Sequence, residues 1–467
     1  MTSFLKRATR VLLCAVTASV SLVSFPLAGA QTEAPPDQPK GYVQRNLVVN
    51  RYDSSDPKSP PWAPLIDPKL QNPWGAAIRS AGLGGHIWLA NAGSSSVTEY
   101  VGDVFDPSGR FVDLYQDGLK IVAAEGSPIG QVFTGSQSDF PVTGEFCYDD
   151  GAPKCDSSEP SYAGRFRGPS RFIVNTEEGK IQAWTERPVD GRMARMRQFV
   201  TVIDNSRRGA LYRGLAISDR ESGNRLYAAN FASGQIEVYT SEWQEVGAPM
   251  GAPSAVATSR PGSTPTSTPP STARVPFQRP RDVPQSYNPF NVEYRGGHVY
   301  VTYANVIKQG ESDYDAREPI KERACAGCGY VAEFDEQGNY VRTLEGQKDL
   351  NAPWGIAIAP PDFGEFSNAL LVGNFGDGTI VAFDRTSGRQ LGKMVSPTGD
   401  PIKIDGLWAI YFGNGASLGR SNYLYFTAGL NDEKDGLYGT LSWVGTQNPS
   451  PIPAPTGASP RPTEIGR

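Results

Sequence analysis

Three carboxylates, Glu177, Asp377 and Asp405, lie in turns of the same kind as the amides Asn91, Asn230 and Asn374. Carboxylate and amide oxygens converging at one mouth are the ligand set of a hard divalent cation, Ca²⁺ or Mg²⁺. A cation held there would polarise a lactone carbonyl or a phosphoryl group for hydrolysis. Arg213 adds a guanidinium, and Trp74, Trp354 and Trp408 add flat apolar faces, a mixture that suits a sugar or another small polar ligand. The same residue types have a structural use. Asn and Asp at turns bond the local backbone, and Trp beside Gly packs between neighbouring elements. A residue repeated in every unit serves the fold, whereas a site needs asymmetry. Arg213, Glu177 and Asp405 break the repeat and are therefore the first residues to test.

Histidine is nearly absent, with only His86 and His298 in the chain. Each follows a Gly-Gly pair, so both read as equivalent exposed turn residues, and catalysis built on histidine is not expected. Beyond Cys14, four cysteines form two close pairs, Cys147 with Cys155 and Cys325 with Cys328. In an oxidising compartment two local disulfides are the first expectation. The Cys-x-x-Cys pair also admits a redox role, but no thioredoxin-like context surrounds it. A zinc site using all four would have to join distant insertions.

These side chains need elements to hold them, and a repeated phrase supplies them. Asn72-Pro73-Trp74-Gly75-Ala76-Ala77 returns as Ala352-Pro353-Trp354-Gly355-Ile356-Ala357, each followed by a strand ending in Asn (Asn91, Asn374) and a further strand. Weaker copies begin near Ser127, Tyr212, Asn288 and Asp405, which makes six units spaced roughly 55 to 85 residues apart. Their short β-branched and aromatic runs, bounded by Gly, Asn, Asp and Pro, read as strands, and no sustained helical period appears. The expected fold class is all-β: a six-bladed β-propeller of four-stranded antiparallel blades. Tyr42 to Val49 is a strand with no unit of its own, placed to close the ring beside Leu437 to Val444. In such a ring the loops entering the innermost strands and the loops between second and third strands open on one face. The Pro-Trp-Gly and Asn-x-x-Gly phrases occupy those loops.

Lys6, Arg7 and Arg10, an apolar stretch from Val11 to Leu27, and Ala28-Gly29-Ala30 together read as a secretory signal peptide cleaved after Ala30. Its removal takes the formal charge from −5 to −8. That balance, with no basic cluster, argues against nucleic acid as a partner. No second apolar span follows, so a soluble secreted or periplasmic monomer without membrane insertion is expected. Residues 31–41 and 447–467 are Pro-rich tails expected to be disordered, and 247–285 is a Pro/Ser/Thr-rich insertion in a propeller spanning 42–446.

Asn72-Pro73-Trp74-Gly75, Leu226-Tyr227-Ala228-Ala229-Asn230-Phe231, Asn288-Pro289-Phe290-Asn291-Val292, Leu371 to Gly378 and Ile404-Asp405-Gly406-Leu407-Trp408 resemble a family of exported bacterial β-propellers. The resemblance covers roughly Asn46 to Val444. Members are similar in architecture to NHL-type and lactonase-type six-bladed propellers, and some carry a PEP-CTERM sorting tail. The end of this chain shows no Pro-Glu-Pro motif. The resemblance implies the fold and export but no catalytic residues. The expected function is a binding module whose channel mouth takes a protein, a glycan or a small polar ligand. The alternative is a divalent-metal-dependent hydrolase of the gluconolactonase type.

Overall fold

The computed structural model describes residues 39–79, 85–117, 119–148, 155, 163–247 and 276–445. The signal peptide, most of the 31–41 tail, residues 248–275 and the 447–467 tail lie outside the described residues. What is described is nearly all β, with single 3₁₀ turns and one four-residue helical segment.

The innermost strands begin at the repeated phrase. After β1 (Gly41–Val49) they are β2 (Pro73–Ala77), β3 (Pro128–Phe133), β4 (Tyr212–Ile217), β5 (Tyr287–Arg295), β6 (Pro353–Ile358) and β7 (Leu407–Phe412). Each opens a sheet whose next strands add outward antiparallel and in chain order, until the last sheet meets β1. The sheets opened by β2, β3, β5 and β6 have four strands. That of β4 has three among the described residues, because after Tyr239 the chain folds back on the third strand through one isolated bridge, Tyr239↔Glu245. The expectation of uniform four-stranded units thus holds only in part.

The sheet of β7 has five strands. Its third strand, β8 (Leu437–Val444), pairs antiparallel with β1 from Gly41↔Val444 to Val49↔Leu437. Leu65–Ile66 then adds in parallel to β1. The orphan strand at the start of the chain therefore closes the last sheet and leaves it no raw edge against the first. Asp435 fastens this seam by accepting hydrogen bonds from Arg51 Nε and Nη2 (2.8 Å each), Asn50 Nδ2 (2.9 Å) and Asn431 Nδ2 (2.6 Å).

Second strands such as Ile87–Asn91, Leu226–Asn230 and Leu370–Asn374 are buried at every residue. Sheets cover them on both faces, so they read as continuous apolar runs rather than alternating ones. Successive innermost strands touch around the whole circuit, β2 to β3 and on through β7 back to β2. This is the arrangement of a β-propeller. The strands approach closely enough to exclude Cβ atoms: one on Gly75 would overlap the Ile129 carbonyl, and one on Gly214 would overlap Asn291. Polar side chains tie the circuit. Asn175 Nδ2 donates to Gly214 O (2.7 Å), Asn291 Nδ2 to Trp354 O (2.9 Å), and Thr427 Oγ1 to Trp74 O (2.7 Å) across the seam.

Two features had no sequence signal. Insertions in the second repeat build a separate four-stranded sheet from Pro141–Tyr148, Gly164–Pro169, Glu186–Val189 and Arg192–Met196. The end of the Pro-rich segment also packs: Phe277 lies between Tyr227 and Phe334, with centroids 5.4 Å from each. Both cysteine pairs, Cys147–Cys155 and Cys325–Cys328, are disulfide-bonded.

Candidate functional site

Each innermost strand carries one equivalent residue, just before a small or amide residue, that points at the axis. The six are Trp74, Ile129, Arg213, Phe290, Trp354 and Trp408. Five of them are apolar and join one buried cluster. Trp74 stacks on Trp408 with centroids 3.3 Å apart, Phe375 stacks on the same indole at 4.0 Å, and Trp354 meets both tryptophans edge-on at 5.9 Å. These rings plug the axis at the end where the strands begin. Trp74, Trp354 and Trp408 are at most 2% exposed, so they form the floor of the mouth and offer no open stacking platform.

The sixth position is a cation. Arg213 lies 5.3 Å from the Trp74 centroid, its backbone carbonyl accepts from Trp354 Nε1 (2.8 Å), and its Nη1 pairs with Glu177 Oε1 at 2.7 Å. Its Nη2 lies 3.8 Å from Glu322 Oε2. Burial alone would lower the Arg213 pKa, but the carboxylates of Glu177, Glu322 and Glu433 outweigh it and hold the pKa above the usual arginine value. Sequence reasoning had singled out Arg213 and Glu177 separately, and the fold brings them into contact.

Glu322 and Glu433 were not anticipated. Glu322 comes from the long loop between the second and third strands of the β5 sheet and is 5% exposed. Glu433 sits in the turn before β8, where Asn431, Asp432 and Glu433 all take left-handed φ values of 56°, 54° and 64°. Three consecutive non-glycine residues in that region cost about 1–2 kcal/mol each. The turn holds Glu433 Oε2 2.8 Å from Asn72 Nδ2. Burial pushes the Glu433 carboxyl above the ordinary range and the nearby Glu322 charge adds to this, while Asn72 and Arg213 oppose it. Lys321, paired with Glu318 at 2.8 Å, stands beside the same carboxylates. Three buried polar atoms here have no hydrogen-bond partner: Glu322 Oε2, Arg213 Nε and Trp74 Nε1.

The other candidates have local duties. Asn91 Nδ2 donates to Leu89 O and Thr98 Oγ1 (3.1 and 3.0 Å). Asn230 Nδ2 donates to Glu237 Oε1 (2.8 Å), and Asn374 binds the Asn351 N–H, Asp349 O and Thr379 Oγ1. Asp377 accepts from the N–H and hydroxyl of Thr379 (3.1 and 2.7 Å), a turn of its own making. Asp405 is exposed. Among the described residues no three His, Cys, Asp or Glu side chains are placed to hold one metal ion, so Glu177, Asp377 and Asp405 are not assembled into a ligand set.

The histidines are half-buried rather than exposed. His86 Nδ1 lies 3.6 Å from Glu99 Oε2, and His298 Nδ1 lies 2.9 Å from Glu333 Oε1, each facing a buried carboxylate of its third strand. Their equivalence between repeats holds, but their turns fold them back onto the sheet.

No protein-family model matches the chain. It is similar to an uncharacterised protein of Acanthamoeba polyphaga mimivirus, 28% identical over 399 residues that span 85% of this chain and 78% of that relative. Among solved structures it is similar to the soluble aldose sugar dehydrogenase of Escherichia coli, at 12% identity and a TM-score of 0.39 over 86% of this chain and 99% of that one. It is also similar to the Cps50 β-propeller domain of Myceliophteria thermophila, at 9% identity and a TM-score of 0.34 over 78% of this chain and 82% of that one.

Proposed function

We propose that the protein is an exported six-bladed β-propeller that acts as a binding module. Its acidic mouth takes the positively charged group of a protein or small ligand. The blade count rests on the six innermost strands that touch in circuit. Export rests on the signal sequence and on the two disulfides. The observation that carries the binding reading is Glu322 Oε2, buried over an aromatic floor without a hydrogen-bond partner beside the single cation of the axial layer. Buried carboxylate oxygens are ordinarily bonded, and an ammonium or guanidinium group arriving from solvent would satisfy this one. Glu177, Glu322 and Glu433 outnumber Arg213 and Lys321, so the mouth favours a cation.

Calorimetric titration of the mature chain, residues 31–467, with spermidine at low salt tests this. Saturable binding that weakens at least tenfold in Glu322→Gln and fades with added salt is expected. No saturation, or equal affinity in the variant, would discard the reading. Amino-terminal sequencing of the exported protein should begin at Gln31.

A further inference from the structure

The aromatic plug closes only one end of the axis. At the other end, where the innermost strands finish, a cavity of about 400 Å³ opens on the opposite face. Its lining includes Gln131 of β3, Glu293 and Arg295 of β5, Arg79, and the rings of Phe133 and Phe412. A deeper recess of about 10 Å³ shares Gln131, Glu293 and Arg295 with it. That is the room needed for one water or one hydroxyl oxygen.

The charges of this cavity are already matched. Arg295 Nη2 pairs with Glu293 Oε2 at 3.0 Å, and Arg79 Nη2 lies 3.6 Å from Glu186 Oε1 with its guanidinium over Phe133 at 5.4 Å. Burial pushes the Glu293 carboxyl above its usual range, and the Arg295 charge beside it opposes that shift. The amide is not matched. Gln131 is 5% exposed, and neither its Nε2 nor its Oε1 has a hydrogen-bond partner. A buried carboxamide with both a donor and an acceptor unused calls for a group that supplies both, which a hydroxyl does. A ligand fitting a cancelled charge set, an unused amide and aromatic walls is neutral, rich in hydroxyls and apolar along its C–H faces.

We infer that this cavity is a second binding site, which takes a neutral, hydroxyl-rich small molecule of sugar size and seats one hydroxyl in the recess against Gln131.

The full mature chain is titrated with D-glucose, D-xylose and sucrose, with D-gluconate as the charged counterpart. At least one neutral sugar should saturate. Gln131→Met, which keeps the volume and removes the amide, should weaken it at least tenfold, while Arg110→Met, at an exposed side chain outside the cavity lining, should leave it unchanged. If Gln131→Met does not fold, Ile217→Trp, which fills the cavity from its rim, should abolish binding instead. The inference is overturned if none of the three sugars saturates, or if gluconate binds more tightly than glucose. It is equally overturned if the folded Gln131→Met, or failing that Ile217→Trp, keeps full affinity. Spermidine binding is independent of these outcomes, so failure of either site is seen separately.

Discussion

Replacing Arg213 with Met removes one charge from the axial layer and keeps most of the side-chain volume. The contact with Glu177 contributes less than about 1 kcal/mol, because the Glu177 side chain is 40% exposed and water screens the pair. The cation over Trp74 adds about 1–2 kcal/mol in a desolvated setting. The largest part comes from Glu322, whose side chain is 3% exposed and would lose its ion-pair partner. Breaking a buried pair costs about 3–5 kcal/mol, and the 3.8 Å separation argues for the lower end. Together these come to about 4–6 kcal/mol, a fall in Tm of about 5–7 °C, taking about 2.1 cal/mol/K per residue over roughly 400 residues. The deficit should depend on pH. Arg213 is one of the groups that hold the Glu433 pKa down, so the variant raises it further. A carboxyl with a raised folded-state pKa binds more protons folded than unfolded above the ordinary carboxylate range, so its contribution to stability falls as pH rises. Scanning calorimetry at pH 5 and pH 8 should therefore show the wider deficit at pH 8. Adding Glu322→Gln should recover at least half of it. A deficit equal at both pH values, with the second substitution adding a loss of its own, would show that Arg213 acts by packing and that the charge argument is wrong.

The seam gives a second expectation. Asp435→Asn should cost about 2 kcal/mol through its charge-assisted bonds, read by urea denaturation. Burial would raise the Asp435 pKa, but Arg51, Asn50 and Asn431 outweigh it and lower it, so this stability is present above the ordinary carboxylate range and lost as pH falls. Gly214→Ala forces a methyl group into Asn291 and should lower Tm more than the Arg213 variant does, because two backbones must part. Phe277→Ala should cost about 3 kcal/mol in the same urea assay despite its place at the end of a Pro-rich segment, since the ring is 5% exposed. A near-neutral result there would show that residues 276–285 are not part of the core.

What could be read from the sequence was what the repeat encodes. Trp74, Arg213, Trp354 and Trp408 occupy equivalent positions, so their common layer and the odd charge within it are legible in the sequence. The closing strand was legible because Tyr42–Val49 had no other partner. The four-stranded sheet from 141 to 196 was not, because insertions carry no echo of the repeat. Glu322 and Glu433 were hidden for a related reason. They reach the mouth from loops whose course depends on tertiary packing, and the run Asn431-Asp432-Glu433 does not announce three left-handed residues. Asn91, Asn230 and Asn374 show what regular repetition produces. Their amides bond locally, Asn91 to Thr98, Asn230 to Glu237 and Asn374 to Thr379.

The plug also decides how the two faces relate. An axial layer of five apolar side chains and one paired arginine separates the acidic mouth from the Gln131 cavity. Apart from Trp354, which floors the mouth and lines the recess, no side chain named at one site lines the other. A backbone route between them runs through β3 and β4, where Arg213 and Gln131 lie on strands in direct contact. Those strands meet where Gly130 leaves no room for a Cβ against Gly214 and Leu215, so the contact is rigid and has one arrangement. Transmission between sites needs an element with two arrangements, and none is built here. Free-energy effects of Gln131→Met and Glu322→Gln should therefore add within about 0.5 kcal/mol in the double variant. A larger interaction term would mean that the inner strands shift against each other, and would remove the case for two independent sites.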